Sequence, residues 1–397
     1  MNRLQQRIDR KIKHLFGPFL PFPGIQKYTP KGNLHLSHIS AFSYGNAGDT
    51  ILPVVLRDLF NQSVGIKKWT GIHVYKTVNE QVVSSINKTD AMVIGGGGLF
   101  LKDTNSNDLS GWQWSCSINQ LQKINVPMIM FAVGYNRFRG QDEFSPLFKQ
   151  HLNEFVERAA FVGIRNTGSI ARLREYLDTD QRKQKLDFQP CMTTLITKIY
   201  PGYLNYESKE DFIAVNCAFD RENLRLNGND VLQPICRVVK ELSRKTKIRY
   251  YSHVESDNKI LPLFEQHGIS YELVTFSSPA QMIKKYARPR LVIGMRGHAQ
   301  MIPFGCGTPI LSIISHDKMQ WFLNDISKPQ WGVDVNDPEF EAKLMEKSIR
   351  LYDESQTCMT EIAEQQEKLW QITGNNMNRI NELIKSSTPA VRQDNKD

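Results

Sequence analysis

"VIGMRGHAQMIPFGCGTPILSI", residues 292–313, decides how the chain folds. It opens on an apolar run, breaks at glycine, and presents Arg296 and His298 before a helical stretch of small residues. A second buried apolar run, "PILSI", closes it. Strand, loop, helix and strand in such short order is the unit of parallel α/β architecture, because parallel strands need a crossover between them. The rhythm repeats outward. "LHLSHISAF" (34–42), "AMVIGGGG" (91–98), "VPMIMFAVGY" (126–135) and "FVGI" (161–164) read as strands on the N-terminal side. "DFIAVNCAF" (211–219) and "KIRYYSHV" (247–254) continue the series. Helical runs such as "TILPVVLRDLF" (50–60) separate them.

With 397 residues, two domains are expected. The mixed segment from Asp178 to Ser208, with Pro190, Pro201 and Gly202, marks the boundary. The reading is therefore two tandem Rossmann-like, doubly wound domains with a C-terminal helical strap. Residues 1–32 form a basic amphipathic helix and linker, 33–200 the first domain and 201–337 the second. Residues 338–386 are helical, and 387–397 are a disordered tail.

A formal charge of +9 favours anionic partners. No nucleic-acid-binding signature accompanies it, so nucleic acid is not expected. In the first helix Leu4, Ile8, Ile12 and Leu15 recur at helical spacing, with Arg3, Arg7, Arg10, Lys11 and Lys13 around them. Such a helix either lies on an anionic membrane face or straps onto the protein body. It lacks the continuous apolar core of a secretory signal, and no run is long enough to span a bilayer. The six cysteines are scattered without a CxxC pair, which points to a reducing cytoplasm and against a metal site or disulfide framework.

In doubly wound sheets, ligands bind beyond the carboxyl ends of the strands. The glycines and charged residues of this chain gather there. Gly95, Gly96 and Gly97 are either a tight turn or a ligand cradle, and the pattern is neither GxGxxG nor a P-loop. Arg296 offers a planar fork for carboxylate or phosphate, and His298 a proton carrier near neutral pH. Arg165 ends the equivalent strand of the first half, where an Arg–Asp surface pair is the bland alternative. Lys318, after the next strand, adds another cation. Several cations aimed at one place suit a small polyanion. "SYGNAGDTILP" (43–53) adds Asn46 and Asp49 at another strand end.

At these residues the chain resembles the polysaccharide pyruvyl transferase family. The likeness rests on "GNAGDTILP", "VIGGGGLF" followed by "KDTNSND", "GIRNTGS", and "GMRGHAQMIPFGCGTPILSI" followed by "SHDKM". It runs in order from about Ser40 to Asp334, and departs at "FQPC" (188–191), where relatives carry Asp-Pro. The resemblance implies a fold like that of B-type (GT-B) glycosyltransferases. It also implies transfer of pyruvate from phosphoenolpyruvate to sugar hydroxyls as a ketal, without metal or cofactor. Arg165, Arg296 and His298 then match donor-binding positions, with Lys318 and Gly95–Gly97 beside them. His298, Asp49 and Asp103 become candidates for proton transfer. On the acceptor side stand Asn46 and Asp49, with Trp112 and Trp114 either stacking on a sugar or filling the core. "RFRG" (137–140) is expected to meet an anionic glycan or a lipid pyrophosphate. The acceptor is a surface polysaccharide or its lipid-linked precursor, which fits a cytoplasmic enzyme, free or on the inner membrane face.

Two other readings remain open. One is a nucleotide-sugar glycosyltransferase of the same architecture, weakened because Gly294–Ser315 contains no Asp or Glu to hold a ribose. The other is a membrane-associated scaffold, which would have no need of cations converging in a cleft.

Overall fold

The computed structural model describes residues 25–26, 28–29, 32–42, 47–226 and 228–387. The expected N-terminal helix, Asn46 and all but the first residue of the expected tail lie outside the described residues.

The first sheet contains β1 (Leu34–Ser40), β2 (Ile66–His73), β3 (Ala91–Phe100), β4 (Met128–Tyr135), β5 (Phe161–Ile164) and β6 (Leu186–Phe188). Its order is β2-β1-β3-β4-β5-β6, and every pairing is parallel. The second contains β7 (Glu210–Asn216), β8 (Lys247–Tyr251), β9 (Tyr271–Val274), β10 (Pro289–Gly294), β11 (Ile310–Ile314) and β12 (Gly332–Asp334). Its order is β12-β11-β10-β7-β8-β9, again wholly parallel. Both are doubly wound, as their apolar strands and intervening helices dictate. The strand order reverses between β1 and β3 in one sheet and between β7 and β10 in the other. Those two switch points are where such folds open a crevice.

Six helices matter for the site: α1 (Ala47–Val64), α2 (Thr167–Arg174), α3 (His298–Gly305), α4 (Asp317–Asp325), α5 (Phe340–Asp353) and α6 (Ser355–Ser387). α1 follows β1, and α3 follows β10, so both begin at the switch points. α1 and α3 bury most of their residues, and one apolar core runs continuously from the β1 and β3 strands through α1 and α3 to β10 and β11. The outer face of the first sheet has a separate core.

The chain passes between sheets twice, once after β6 and once through α6. The buried Gln366 of α6 donates from Nε2 to the carbonyl oxygens of Thr194, Phe304 and Gly305 at 3.2, 2.8 and 3.1 Å. Farther along, Asn376 donates to Phe188 O and Gln189 Oε1, both at 3.0 Å. Gln189, in the divergent "FQPC" turn, is therefore tied to the crossing helix. No helix among the described residues is long and apolar enough to cross a membrane.

Candidate active site

The two switch points face one another across a cavity of about 180 Å³. The first domain contributes Asp49, Gly98, Asn136 and Arg165. The second contributes Asp220, Arg221, Arg225 and His253, then Arg296, His298, His316 and Lys318. Glycine permits the close approach of the two walls. A Cβ on Gly48, in the first turn of α1, would sit 2.4 Å from His298 Nδ1 of the opposite domain. A Cβ on Gly134, at the end of β4, would sit 2.4 Å from the Arg165 guanidinium.

Four arginines and Lys318 line this space, and their partners sort these basic groups into two sets. Arg296 is held by Asp257, which accepts from Nε at 2.9 Å through either oxygen, and by Asp220, 2.6 Å from Nη2. Burial opposes the Arg296 charge, yet Asp257 and Asp220 outweigh it and raise its pKa. Arg225 contacts Asp220 at 3.1 Å, and Arg221 reaches Asp220 at 3.3 Å and Asp103 at 2.7 Å. Burial would raise the Asp220 carboxyl, but Arg225, Arg296 and Arg221 together hold it below its ordinary range. These three arginines are compensated.

Arg165 and Lys318 are not. Arg165 is only 4 % exposed, and its Nε and Nη2 have no hydrogen-bond partner among the described residues. Burial lowers its pKa, and the nearby Asp49 charge offsets part of that. Lys318 is half-buried and makes no hydrogen bond or ion pair among the described residues. Desolvation first, then Arg165 and Arg225, push its pKa well below the usual lysine range. A buried cation lacking a counter-charge is costly unless something anionic meets it. Arg165 belongs to the first domain and Lys318 to the second, and both line the one cavity.

Three histidines line the same walls in neutral form. His298 is held well below its ordinary pKa by burial, then by Arg165 and Lys318. His316 is lowered similarly by burial, Lys318 and Arg225. His253 is pushed down to about 3 by burial and Arg296.

Several sequence expectations change. Trp112 and Trp114 are 2 % and 0 % exposed, packed with His151 and Phe155, and present no face to a sugar. Gly95, Gly96 and Gly97 do not line the cavity. A Cβ on Gly95 would meet Phe131 O at 2.6 Å, and Gly96 has φ +82, so these glycines serve the packing of β3; Gly98 is the one at the cavity wall. Asp103 is clamped by Arg221 across the domain boundary and lies off the cavity, which removes it as a free base. The Arg296 fork is already taken, leaving Nη1 as its nitrogen without a carboxylate. Asp49 lies in the first turn of α1 and lines the cavity. Arg139 of "RFRG" is committed to Asp317 at 2.8 Å and Asp334 at 2.7 Å, and Arg137 to Glu143, so neither awaits a glycan.

Sequence reasoning missed Asp220, Arg221 and Arg225, His253, Asn136 and His316. The signal was present, since each follows a strand. "NCAFDRENLR" (216–225) carries its charges immediately beyond β7.

The sequence model of a family described as polysaccharide pyruvyl transferase matches residues 46–317, more than half of the chain. No curated protein matches the chain in sequence. Among solved structures, a putative UDP-N-acetylglucosamine 2-epimerase from Listeria monocytogenes is similar, with TM-score 0.54 and 15 % identity. That match covers 89 % of this chain and 96 % of that one. A glycosyltransferase from Rickettsia africae has TM-score 0.54 and 11 % identity, covering 90 % and 100 %. Anabaena HepE, solved with UDP and glucose, has TM-score 0.52 and 10 % identity, also covering 90 % and 100 %. At such identities the likeness is one of fold: the two-domain GT-B-like arrangement.

Proposed function

The chain belongs to the polysaccharide pyruvyl transferase family, and from that premise we propose that it transfers pyruvate from phosphoenolpyruvate to sugar hydroxyls of a surface polysaccharide or its lipid-linked precursor, as a ketal. The observation that supports this reading is the pair Arg165 and Lys318, cations from opposite domains without carboxylate partners among the described residues, on one small cavity. Phosphoenolpyruvate carries a carboxylate and a phosphate on neighbouring atoms, which suits two basic groups on the wall of one small cavity. A cavity of about 180 Å³ is smaller than the roughly 300–1,000 Å³ of sites for drug-sized ligands. A donor as small as phosphoenolpyruvate suits that volume.

The chemistry has three steps. A proton is delivered to the methylene carbon while a sugar hydroxyl adds to C2, its own proton passing to a base. The C2–O bond to phosphorus then breaks, its electron pair leaving with phosphate. A second hydroxyl adds at C2, loses its proton and closes the ketal. His298 is the proposed proton carrier: neutral by itself in this cationic wall, it gains a proton more readily once an anion offsets Arg165 and Lys318. Asp49, the carboxylate on the first-domain wall, is the proposed base for the acceptor hydroxyl. Arg165 and Lys318 stabilise the charge that develops on the departing phosphate. No step in this proposal uses a metal or cofactor.

The test measures phosphate released from phosphoenolpyruvate in the presence of a saccharide extract, alongside nucleoside diphosphate released from sugar nucleotides. Phosphate release that depends on acceptor supports the reading. Nucleoside diphosphate release without it would transfer the assignment to a glycosyltransferase. The cytoplasmic and membrane-surface placements belong to this proposal too, and a vesicle-flotation assay with anionic lipids distinguishes them.

A further inference from the structure

His316 lies one residue beyond Ser315 at the end of β11, 1 % exposed, on the wall of the same cavity. Its Nδ1 is 3.3 Å from Arg225 Nη1 and 3.1 Å from Ser315 Oγ. A guanidinium can only donate, so Nδ1 must be the acceptor and the single proton of the neutral ring must sit on Nε2. Nε2 has no hydrogen-bond partner among the described residues. The ring is fixed from the other domain by Phe138, stacked at 4.9 Å and 29°. A second proton would have to enter at Nδ1, facing the Arg225 N–H.

We propose that His316 is a substrate-binding residue of the donor site, a neutral imidazole locked as the Nε2–H tautomer that donates to an oxygen of the bound anion and does not carry protons. The inference rests on the donor-site reading and goes beyond it by separating two histidines: His298 moves a proton, His316 only donates a hydrogen bond. The cations around His316 favour its neutral form. Lys318, Arg225, Arg139 and Arg165 are cations, and the acidic Asp317 and Asp334 are engaged by Arg139.

The test uses the full chain labelled with ¹⁵N-histidine. The His316 nitrogens should show the Nε2–H pattern unchanged from pH 6 to 9, and inorganic phosphate or phosphoenolpyruvate should shift the Nε2 resonance. His316→Phe keeps the stack on Phe138 and removes the donor. It should raise the KM for phosphoenolpyruvate about tenfold, the scale of one hydrogen bond to a charged group, with the pH–rate profile keeping its shape. His316→Gln restores an N–H and should recover most of that loss. Protonation of His316 within the pH range, an Nε2 resonance indifferent to both anions, or equal losses in the Phe and Gln variants would each overturn the inference. Failure of phosphoenolpyruvate turnover in the unaltered protein would count against the donor reading alone, because the phosphate titration reads His316 without it.

Discussion

The Arg165 charge repels a proton on Lys318 across the cleft and lowers its tendency to hold one. An anion reverses this, so their contributions to binding should be large and coupled. Lys318→Met and Arg165→Gln are each expected to weaken phosphoenolpyruvate binding by about 2–3 kcal/mol, the scale of a charged hydrogen bond. In the double variant the losses should add to less than their sum, because the repulsion disappears as well. Titration calorimetry of the four proteins checks this, and strictly additive losses would refute the coupling. Acid sensitivity follows from the wholly buried His38, His151 and His316, whose pKa values are all lowered chiefly by burial, His151 to about 4. Their unfolded values lie near 6.5. Below that pH the unfolded chain binds more protons than the folded one, so stability is fully present above about 6.5 and falls as pH decreases. At pH 5 each contributes a loss of up to about 2 kcal/mol. Urea midpoints should drop between pH 7.5 and pH 5, and a flat profile would exclude neutral buried histidines.

Among elements, α6 shows what a sequence can and cannot disclose. Its helical, charged pattern was legible, as were the eight apolar central strands; the edge strands β2, β6, β9 and β12, short or mixed in polarity, were not read. What α6 grips was not legible. Gln366 looks like any polar helix residue, yet it is 3 % exposed and satisfies three carbonyls of two different segments. Those contacts span 172, 62 and 61 residues, beyond any local pattern. Trp112 and Trp114 failed for the same reason: an aromatic in a loop gives no sign of which face it buries. The site was legible where a strand end carried the charge, as at Arg165, and obscured where partners decide the role. Asp103 and Arg296 could be ranked only once Arg221 and Asp257 were seen beside them. Gln366→Leu should leave the carbonyls of Thr194, Phe304 and Gly305 without this donor and reduce stability by about 1–3 kcal/mol. A thermal scan reads it as a lowered Tm. A midpoint unchanged from the parent would mean those carbonyls find other donors.

At the scale of the whole molecule, the cleft is bridged by contacts that a moving enzyme can break. Arg139 joins Asp317 and Asp334, and Arg221 joins Asp103; Asp325 receives the backbone N–H and hydroxyl of Thr167 at the start of α2. All of these groups are partly exposed, so each ion pair contributes only about 0.2–1 kcal/mol. A cavity of about 180 Å³ has room for a small anion, and the proposed saccharide acceptor would need the walls to part. The two chain crossings, after β6 and along α6, would tether the domains through such an opening. Arg139 is the informative residue because it bridges the domains without lining the cavity. Arg139→Ala removes two such pairs, together about 1 kcal/mol of the closed form's stability, which shifts the open-to-closed ratio by about fivefold. Small-angle scattering should then give a larger radius of gyration for the variant, with phosphoenolpyruvate reducing the difference. Turnover at low donor concentration should fall by a similar factor, and raising salt should bring the parent protein toward the variant as screening weakens the same pairs. Identical scattering curves, at low salt and without donor, would mean that the domains are held by their shared apolar core and the crossing helix, with the ion pairs decorating a rigid body.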